Sequence, residues 1–172
     1  MHILFVCTGN ICRSPTAERL AAAYAAEMGL ADFRSSSAGT RAVIDHPMHA
    51  DAAIVLEQLG GDSSGFAARQ LTPKVASDAD LILTMTAAHR DRVLEMCPQK
   101  LNKTFTLGEA SRLASDFNAE SIADLAVLRP RLDAKQREEV LDPIGQSFDV
   151  FESVGRRVAE LLPPIIKLAN ST

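Results

Sequence analysis

The chain of 172 residues contains no tryptophan, one tyrosine and three cysteines, and no apolar run approaches the roughly 18 residues that a membrane span requires. Three cysteines are an odd number, which argues against a disulfide framework and favours the reducing cytoplasm. The chain has 18 Lys and Arg against 22 Asp and Glu, so it offers no broad basic surface for nucleic acid. An apolar segment begins almost at the N-terminus and leaves no room for a secretory signal peptide. The sequence therefore predicts a cytoplasmic protein with no membrane or nucleic-acid partner.

What the chain does contain is an alternation of short apolar segments with helical patterns. With 47% hydrophobic and 23% charged residues it has the composition of a globular protein, and its length fits one domain over residues 1–172. This alternation predicts an α/β fold with a four-stranded parallel sheet, helices on both faces, an interior first strand and a ligand loop after it. The predicted strands are residues 2–7, 33–38, 79–85 and 103–107. The predicted helices are residues 15–29, 49–59, 87–96 and 147–162, the last interrupted by Pro163-Pro164.

The loop directly after the first predicted strand has the residues of an anion site. Its backbone N–H groups at positions 8 to 13 can converge on one point, as in the amide nests that bind phosphate. The same field stabilises a thiolate at Cys7, and the planar fork of Arg13 can hold two phosphoryl oxygens. Ser14 is a candidate N-cap and Pro15 a first helical residue, so a helix is expected to begin here. The phosphate-binding residues are predicted to be Thr8, Gly9, Asn10, Ile11, Cys12, Arg13 and Ser14.

A thiolate beneath a captured phosphate implies catalysis through a cysteinyl phosphate. Cys7 is then the nucleophile, and Arg13 holds the phosphate and stabilises the transition state. The alternative is a free cysteine that only ends a buried strand, which is common because cysteine is among the most buried residue types. The context favours the nucleophile, since Gly9 allows close approach of the backbone and a helix N-terminus follows.

The twelve residues at positions 7–18, Cys-Thr-Gly-Asn-Ile-Cys-Arg-Ser-Pro-Thr-Ala-Glu, resemble the signature of the low-molecular-weight protein tyrosine phosphatases. The similarity continues through residues 36–40, 68–71, 79–86 and 142–145, and so spans nearly the whole chain. The resemblance, closest to bacterial members, implies an enzyme that hydrolyses phosphotyrosine and other aryl phosphate monoesters. Its substrate would be a phosphorylated protein or peptide, and it would need no cofactor.

Asp142 is the predicted general acid. A phenol has a pKa near 10, so an acid should protonate the leaving oxygen when the bond to phosphorus breaks. Asp142-Pro143 is also an ordinary way to open a turn, and spacing alone favours the turn. The resemblance favours the acid, because the family's general acid lies in an Asp-Pro at this place before the final helix.

Three further loop residues have two interpretations each. Ser14 can donate to the thiolate and ease its departure, or it can cap the helix, and the two roles can coexist. Asn10, in the middle of the loop, can simply tolerate a left-handed backbone conformation, whereas the resemblance implies that it holds the loop's shape through Ser37. Cys12 can form a reversible disulfide with Cys7 that protects it from irreversible oxidation, or it can be a small residue that packs.

The preferred substrate depends on side chains around the loop. Tyrosine-directed relatives carry aromatic residues beside the pocket, where this chain has Ile144-Gly145 and Val43. The resemblance to bacterial members extends to the protein arginine phosphatases, which carry threonine in place of Ile11. Ile11 offers an apolar surface suited to an aryl ring, so phosphotyrosine is favoured and phosphoarginine is the alternative. A third alternative, arsenate reductase on the same fold, is disfavoured by Pro15, where those relatives have glutamine, and by the single late cysteine, Cys97.

No cysteine or histidine cluster has the spacing of zinc ligands, so no metal is predicted. His46, His49 and His89 are scattered, and none has an obvious acid or base partner in the sequence. They are expected to be solvated histidines at helix ends.

Residues 109–141 form a longer connection than the family usually has at this place. The segment carries charges of both signs and a predicted helix near residues 119–128. It is either a flap that leads into Asp142 or a solvated surface excursion with no catalytic part.

Overall fold

Four short strands form one sheet in the structure, a computed structural model that describes residues 1–170. The strands are β1 (His2–Cys7), β2 (Arg34–Gly39), β3 (Leu81–Thr84) and β4 (Thr104–Thr106). All pairings are parallel in the order β2-β1-β3-β4, which confirms the predicted sheet and the interior position of its first strand. Each strand is followed by helix before the next, as parallel pairing requires.

Helices cover both faces of the sheet. They are α1 (Arg13–Glu27), α2 (Ala50–Gln58), α3 (Pro73–Ser77), α4 (Ala87–Met96), α5 (Leu107–Asp116), α6 (Ile122–Leu128) and α7 (Phe148–Asn170), with short 3-10 helices at Pro98–Lys103, Arg129–Arg131 and Ala134–Gln136. Side chains of β1 alternate between the faces: Ile3 and Phe5 join the larger core with α1, α2, α5, α6 and α7, while Leu4 and Val6 join a smaller one with α3 and α4. Within residues 1–170, no helix has both the length and the apolar character needed to cross a bilayer.

The parallel register places three chain segments at one edge of the sheet. Cys7, the last residue of β1, pairs with Gly39 at the end of β2, and Val6 pairs with Thr84 at the end of β3. The loops that follow these strands therefore start side by side. In open α/β sheets the carboxyl edge of the strands is where ligands bind.

The start of α1 differs from the prediction. The helix begins at Arg13 rather than at Pro15, and its N-cap is Cys12, which makes no side-chain capping bond. Ser14 lies inside the first turn, where its hydroxyl contacts Cys7 and Asn10 instead of capping the helix. Pro15 becomes the third helical residue, which costs no hydrogen bond because the first four N–H groups of a helix have no intrahelical partner.

The final helix is also longer than predicted. Pro163 and Pro164 lie inside α7, which continues to Asn170. The prolines remove two N–H donors, but Leu162, Ile165 and Ile166 on this last stretch are fully buried in the larger core. Burial of each such side chain contributes about 1.5–3 kcal/mol, which offsets the cost of the prolines.

The chain after β4 forms a helix that the prediction missed. Thr106 and Glu109 make a capping box at the start of α5, each side chain accepting a hydrogen bond from the other residue's backbone N–H. The Thr-x-x-Glu spacing was the available signal. The short α3 was missed as well, although Thr72 followed by Pro73 is a typical helix start.

The segment 109–141 is anchored to the larger core at a few apolar side chains, although much of its second half is exposed. It contains α6 near the predicted helix, and its apolar residues Leu125, Leu132 and Val140 are buried in the larger core. A Cβ added to Gly108 would lie 2.5 Å from the carbonyl oxygen of Glu138, so the returning end of the segment packs directly on α5. This packing fixes the backbone that leads into Asp142.

Candidate active site

A cavity of about 410 Å³ opens at the carboxyl edge of the sheet. It brings together Cys7, Arg13 and Asp142, the three residues to which the sequence assigns chemistry, although Asp142 lies far from the other two in the chain. Its lining residues are Cys7, Thr8, Gly9, Ile11, Cys12, Arg13, Arg41, Val43, Asp142 and Ile144. Of these, Arg41 was not singled out from the sequence; it follows β2 and is exposed.

The backbone of the loop between β1 and α1 is held through its carbonyl groups. Four of them accept hydrogen bonds from flanking backbone N–H groups: Cys7 from Thr40 at 2.9 Å, Thr8 from Arg41 at 3.0 Å, Gly9 from Val43 at 2.9 Å and Ile11 from His49 at 2.7 Å. In a planar trans peptide the next N–H points opposite to the carbonyl. The N–H groups of residues 8 to 13 donate to no other group within residues 1–170, so they are available to an anion.

Asn10 stabilises the loop from inside. Its φ of 57° is left-handed, and its side chain is fully buried. The amide donates to Ser37 Oγ at 2.8 Å and to Ser14 Oγ at 2.9 Å, and its oxygen accepts from the backbone N–H of Arg69 at 2.8 Å. Ser37 in turn donates to Glu18, whose burial raises the pKa of its carboxyl group. Both interpretations of Asn10 therefore hold together, and the contact with Ser37 is present.

Cys7 and Ser14 form the floor of the cavity. The Cys7 sulfur lies 2.9 Å from Ser14 Oγ, and both residues are buried. Because Asn10 already donates to this hydroxyl, the hydroxyl's own hydrogen is left for the sulfur. Cys12 lines the same cavity. Burial, and then the neighbouring Cys7, raise the pKa of the Cys12 thiol to about 12. Cys12 therefore stays a protonated thiol at neutral pH.

Arg13 and Asp142 meet above this floor. Arg13 is buried, and its Nη1 donates to the Val140 carbonyl at 3.1 Å while its Nη2 lies 3.2 Å from Asp142 Oδ2. Half of the Asp142 side chain is exposed, and its Oδ1 accepts from the backbone N–H of Ile144 at 3.2 Å. The predicted turn at Asp142-Pro143 is present, and it leaves the other carboxylate oxygen facing the guanidinium.

Part of the cavity lining is apolar. Ile11, Val43 and Ile144 line it, which confirms that Val43 and Ile144 lie beside the pocket. A methyl group at Gly9 would lie 3.5 Å from Ile11 and 3.6 Å from Val43. It would clash with neither, but it would take up space between two wall residues, so glycine keeps the cavity wide.

His89 is not solvated, and that prediction is wrong. The residue is 7% exposed, and its ring nitrogens contact two threonine hydroxyls, Nε2 with Thr8 at 2.8 Å and Nδ1 with Thr86 at 3.0 Å. One signal was available in the sequence. His89 lies in the first turn of the predicted helix 87–96, which follows the predicted strand 79–85, and this strand pairs with β1. Parallel pairing brings that turn to the edge where the loop lies.

Comparison with known proteins identifies relatives over most of the chain. A family model described as "Low molecular weight phosphotyrosine protein phosphatase" matches residues 2–170. The low molecular weight protein-tyrosine-phosphatase Etp of Escherichia coli K12 is 34% identical over 152 residues, 88% of this chain and 83% of that protein. The structure of Erwinia amylovora tyrosine phosphatase AmsI matches with a TM-score of 0.73 and 31% identity, covering 95% of this chain and 89% of that one. A C7S mutant of YwlE arginine phosphatase with a phosphorylated active site serine matches with a TM-score of 0.78 and 29% identity, covering 97% and 94%.

Proposed function

The chain belongs to the low molecular weight phosphotyrosine protein phosphatase family, whose members are hydrolases, and we propose that it hydrolyses phosphotyrosine through a cysteinyl phosphate on Cys7. The observation that carries this proposal is the single cavity lined by Cys7, Arg13 and Asp142. These residues supply a nucleophile, a phosphate ligand and a proton donor within one site. The reaction needs no metal or cofactor.

In the first step the Cys7 thiolate attacks phosphorus. The sulfur–phosphorus bond forms, the bond from phosphorus to the tyrosine oxygen breaks, and Asp142 gives its proton to the leaving oxygen. Three observations support Cys7 in this role: the Ser14 hydroxyl can donate to its sulfur, Cys12 remains a thiol, and a related phosphatase carries a phosphoryl group on the serine that replaces its active-site cysteine.

Arg13 and the free N–H groups of the loop hold the phosphoryl oxygens. The guanidinium is preset, because the Val140 carbonyl anchors its Nη1. A bound phosphoryl group competes with the Asp142 carboxylate for Nη2, at present 3.2 Å away. When the dianion takes the place of the carboxylate on the guanidinium, the Asp142 side chain is released to act on the leaving oxygen.

In the second step water attacks the cysteinyl phosphate. Asp142, now a carboxylate, accepts a proton from the water, the sulfur–phosphorus bond breaks, and inorganic phosphate leaves. The departing sulfur carries the electron pair as a thiolate. The Ser14 hydroxyl stabilises that thiolate by a hydrogen bond across the 2.9 Å between the two atoms.

Replacing the guanidinium by an ammonium tests the role of Arg13. In Arg13→Lys we expect kcat/KM for a phosphotyrosine peptide to fall at least about 100-fold, because a lysine cannot hold two oxygens in one plane. Steady-state kinetics measure the loss, and Arg156→Lys, the same change at an exposed position of α7, serves as the control. Activity of Arg13→Lys near that of the wild type would contradict the assignment.

The substrate side chain is proposed to be an aryl ring. Ile11, Val43 and Ile144 form apolar walls around the phosphate loop, and such walls suit a phenyl group better than a charged guanidinium. The likeness to an arginine phosphatase keeps phosphoarginine as a second candidate. Turnover of p-nitrophenyl phosphate, a phosphotyrosine peptide and a phosphoarginine peptide, measured side by side, decides between them. A higher kcat/KM for the phosphoarginine peptide would overturn the preference.

Ile11 is expected to set part of this preference. In Ile11→Thr, a smaller side chain opens one wall and adds a hydroxyl, so the selectivity should shift from phosphotyrosine towards phosphoarginine by about 1–3 kcal/mol. The measurement is the ratio of the two kcat/KM values in the variant and the wild type. Ile11→Val, which removes a methyl group without adding a hydroxyl, separates the effect of space from that of polarity. An unchanged ratio would mean that Ile11 does not determine the choice.

The proposed substrate is a phosphorylated protein or peptide, reached without nucleic acid or membrane as a partner. We place the protein in the cytoplasm, where thiols stay reduced. One observation supports this location: Cys7, Cys12 and Cys97 are all unpaired. The proposed mechanism agrees with it, because a cysteine nucleophile acts as a free thiolate.

A further inference from the structure

We propose that His89 is a positioning residue for the phosphate-binding loop: it holds the side chain of Thr8 and thereby fixes the backbone directly after Cys7. The inference rests on the proposed function of the site, since it names what keeps the loop in the shape that binds a phosphoryl group. His89 does not line the cavity, so it acts through Thr8 and not on the substrate.

The imidazole is fixed at both ends. Its Nε2 lies 2.8 Å from Thr8 Oγ1, and its Nδ1 lies 3.0 Å from Thr86 Oγ1. Thr86 is the N-cap of α4, and the same hydroxyl accepts the backbone N–H of His89 at 3.3 Å. The first turn of α4 therefore holds the ring, and the ring holds Thr8.

Thr8 is where this contact reaches the loop. Its carbonyl accepts from the N–H of Arg41 at 3.0 Å, and a Cβ added to Gly39 would lie 2.4 Å from that carbonyl oxygen. The main chain of Thr8 is thus held by the segment after β2, while its hydroxyl is held by α4. Because the Thr8 carbonyl and the Gly9 N–H share one peptide plane, holding Thr8 on two sides also holds the direction of that N–H.

His89 acts as a neutral ring. Burial, and then the positive charge of Arg13, lower its pKa to about 4, against the opposing effects of Asp142 and Glu139. Near neutral pH the ring therefore offers one donor and one acceptor, and a threonine hydroxyl can match either. A neutral ring also places no second cation beside Arg13.

Loss of the contact is expected to weaken oxyanion binding. His89→Phe keeps a ring of similar size without hydrogen bonds, and we expect its dissociation constant for orthovanadate to rise roughly 5- to 10-fold, the effect of about one hydrogen bond. Isothermal titration calorimetry measures this constant without turnover. His89→Gln, whose amide can still bond to Thr8, should recover most of the affinity.

A double-mutant cycle with Thr8→Val identifies the path of the effect. If His89 acts through Thr8, the double variant His89→Phe/Thr8→Val should bind orthovanadate no more weakly than the weaker single variant. Additive losses, or wild-type affinity in a folded His89→Phe protein, would overturn the proposal. Thermal unfolding checks the fold, and His89→Ala replaces His89→Phe in the cycle if the latter does not fold.

The pH profile separates positioning from proton transfer. Because His89 does not titrate near neutrality, the profile of kcat/KM in His89→Gln should keep the wild-type form between about pH 5 and 8. If the acidic or basic limb of the profile disappeared in His89→Gln, His89 would be acting as a catalytic acid or base, and this result would overturn the proposal. If the wild-type protein bound orthovanadate but did not hydrolyse phosphotyrosine, the proposed function would be contradicted. The double-mutant cycle on orthovanadate binding would still test the role of His89.

Discussion

Cys7→Ser is expected to abolish turnover, with a loss on the order of 10⁶-fold in kcat, as found when a covalent nucleophile is removed. A serine hydroxyl is not ionised at neutral pH and is a weak nucleophile, and its oxygen is a far poorer leaving group than a thiolate, so the cycle would stop at the hydrolysis of a phosphorylated serine. Oxyanion binding should stay close to that of the wild type, because the backbone N–H groups of the loop and Arg13 remain. The measurements are kcat with p-nitrophenyl phosphate and the dissociation constant of orthovanadate.

Cys12→Ser is the matched control for this experiment. It makes the same atomic change five residues along the chain, in a side chain that lines the same cavity but stays a protonated thiol. We expect Cys12→Ser to retain turnover of p-nitrophenyl phosphate, because Cys7 remains as the nucleophile. An inactive, normally folded Cys12→Ser together with an active Cys7→Ser would assign the nucleophile to Cys12.

Asp142→Ala is expected to slow the hydrolysis of phosphotyrosine by roughly 100- to 10,000-fold, the usual contribution of one proton-transfer group. The loss should be largest for the poorest leaving groups, since an aryl phosphate with an acidic phenol needs little protonation. A plot of log(kcat/KM) against the pKa of the leaving group should therefore have a steeper negative slope for the variant than for the wild type. Equal slopes for the variant and the wild type would mean that Asp142 is not the general acid and that Asp142-Pro143 only forms a turn.

Two control variants separate the acid from the turn. Asp142→Asn keeps an oxygen that can accept the N–H of Ile144 but cannot donate a carboxyl proton, so it should be nearly as slow as Asp142→Ala. Asp149→Ala removes a nearby exposed carboxylate at the start of α7 and should leave the slope unchanged. If Asp149→Ala steepens the slope and Asp142→Asn does not, Asp149 is the acid.

Much of the fold could be predicted from local sequence. The run Ile3-Leu4-Phe5-Val6 is apolar at every position, as a strand buried on both faces requires, and all four residues are fully buried. Gly29, at φ 69°, lies just after the end of α1, where glycine commonly ends a helix. The order of strands and helices then leaves few parallel topologies, and the observed one has the first strand inside the sheet.

Three of the errors arose because contacts outside the local pattern decide what a group does. Ser14 is a good N-cap by type, but Asn10 and Cys7 take its hydroxyl. Pro163-Pro164 would end an isolated helix, yet burial of the flanking leucine and isoleucines keeps α7 intact. His89 has one partner in its own segment, Thr86, but its second partner, Thr8, lies in a loop 81 residues away.

The sequence by itself determined the chemistry available to this protein: a cysteine and an arginine six residues apart after a strand, a hydroxyl beside them, and an aspartate before proline near the last helix. These are properties of side-chain types and short spacings, which a chain carries before it folds. Only the tertiary structure decided that Asp142 faces Arg13, that the loop carbonyls are tied to flanking segments so that its N–H groups stay free, and that His89 holds Thr8. Those contacts join residues from separate parts of the chain. They form because parallel strand pairing, and the packing of the chain at Glu138 against Gly108 of α5, bring the loops to one edge of the sheet.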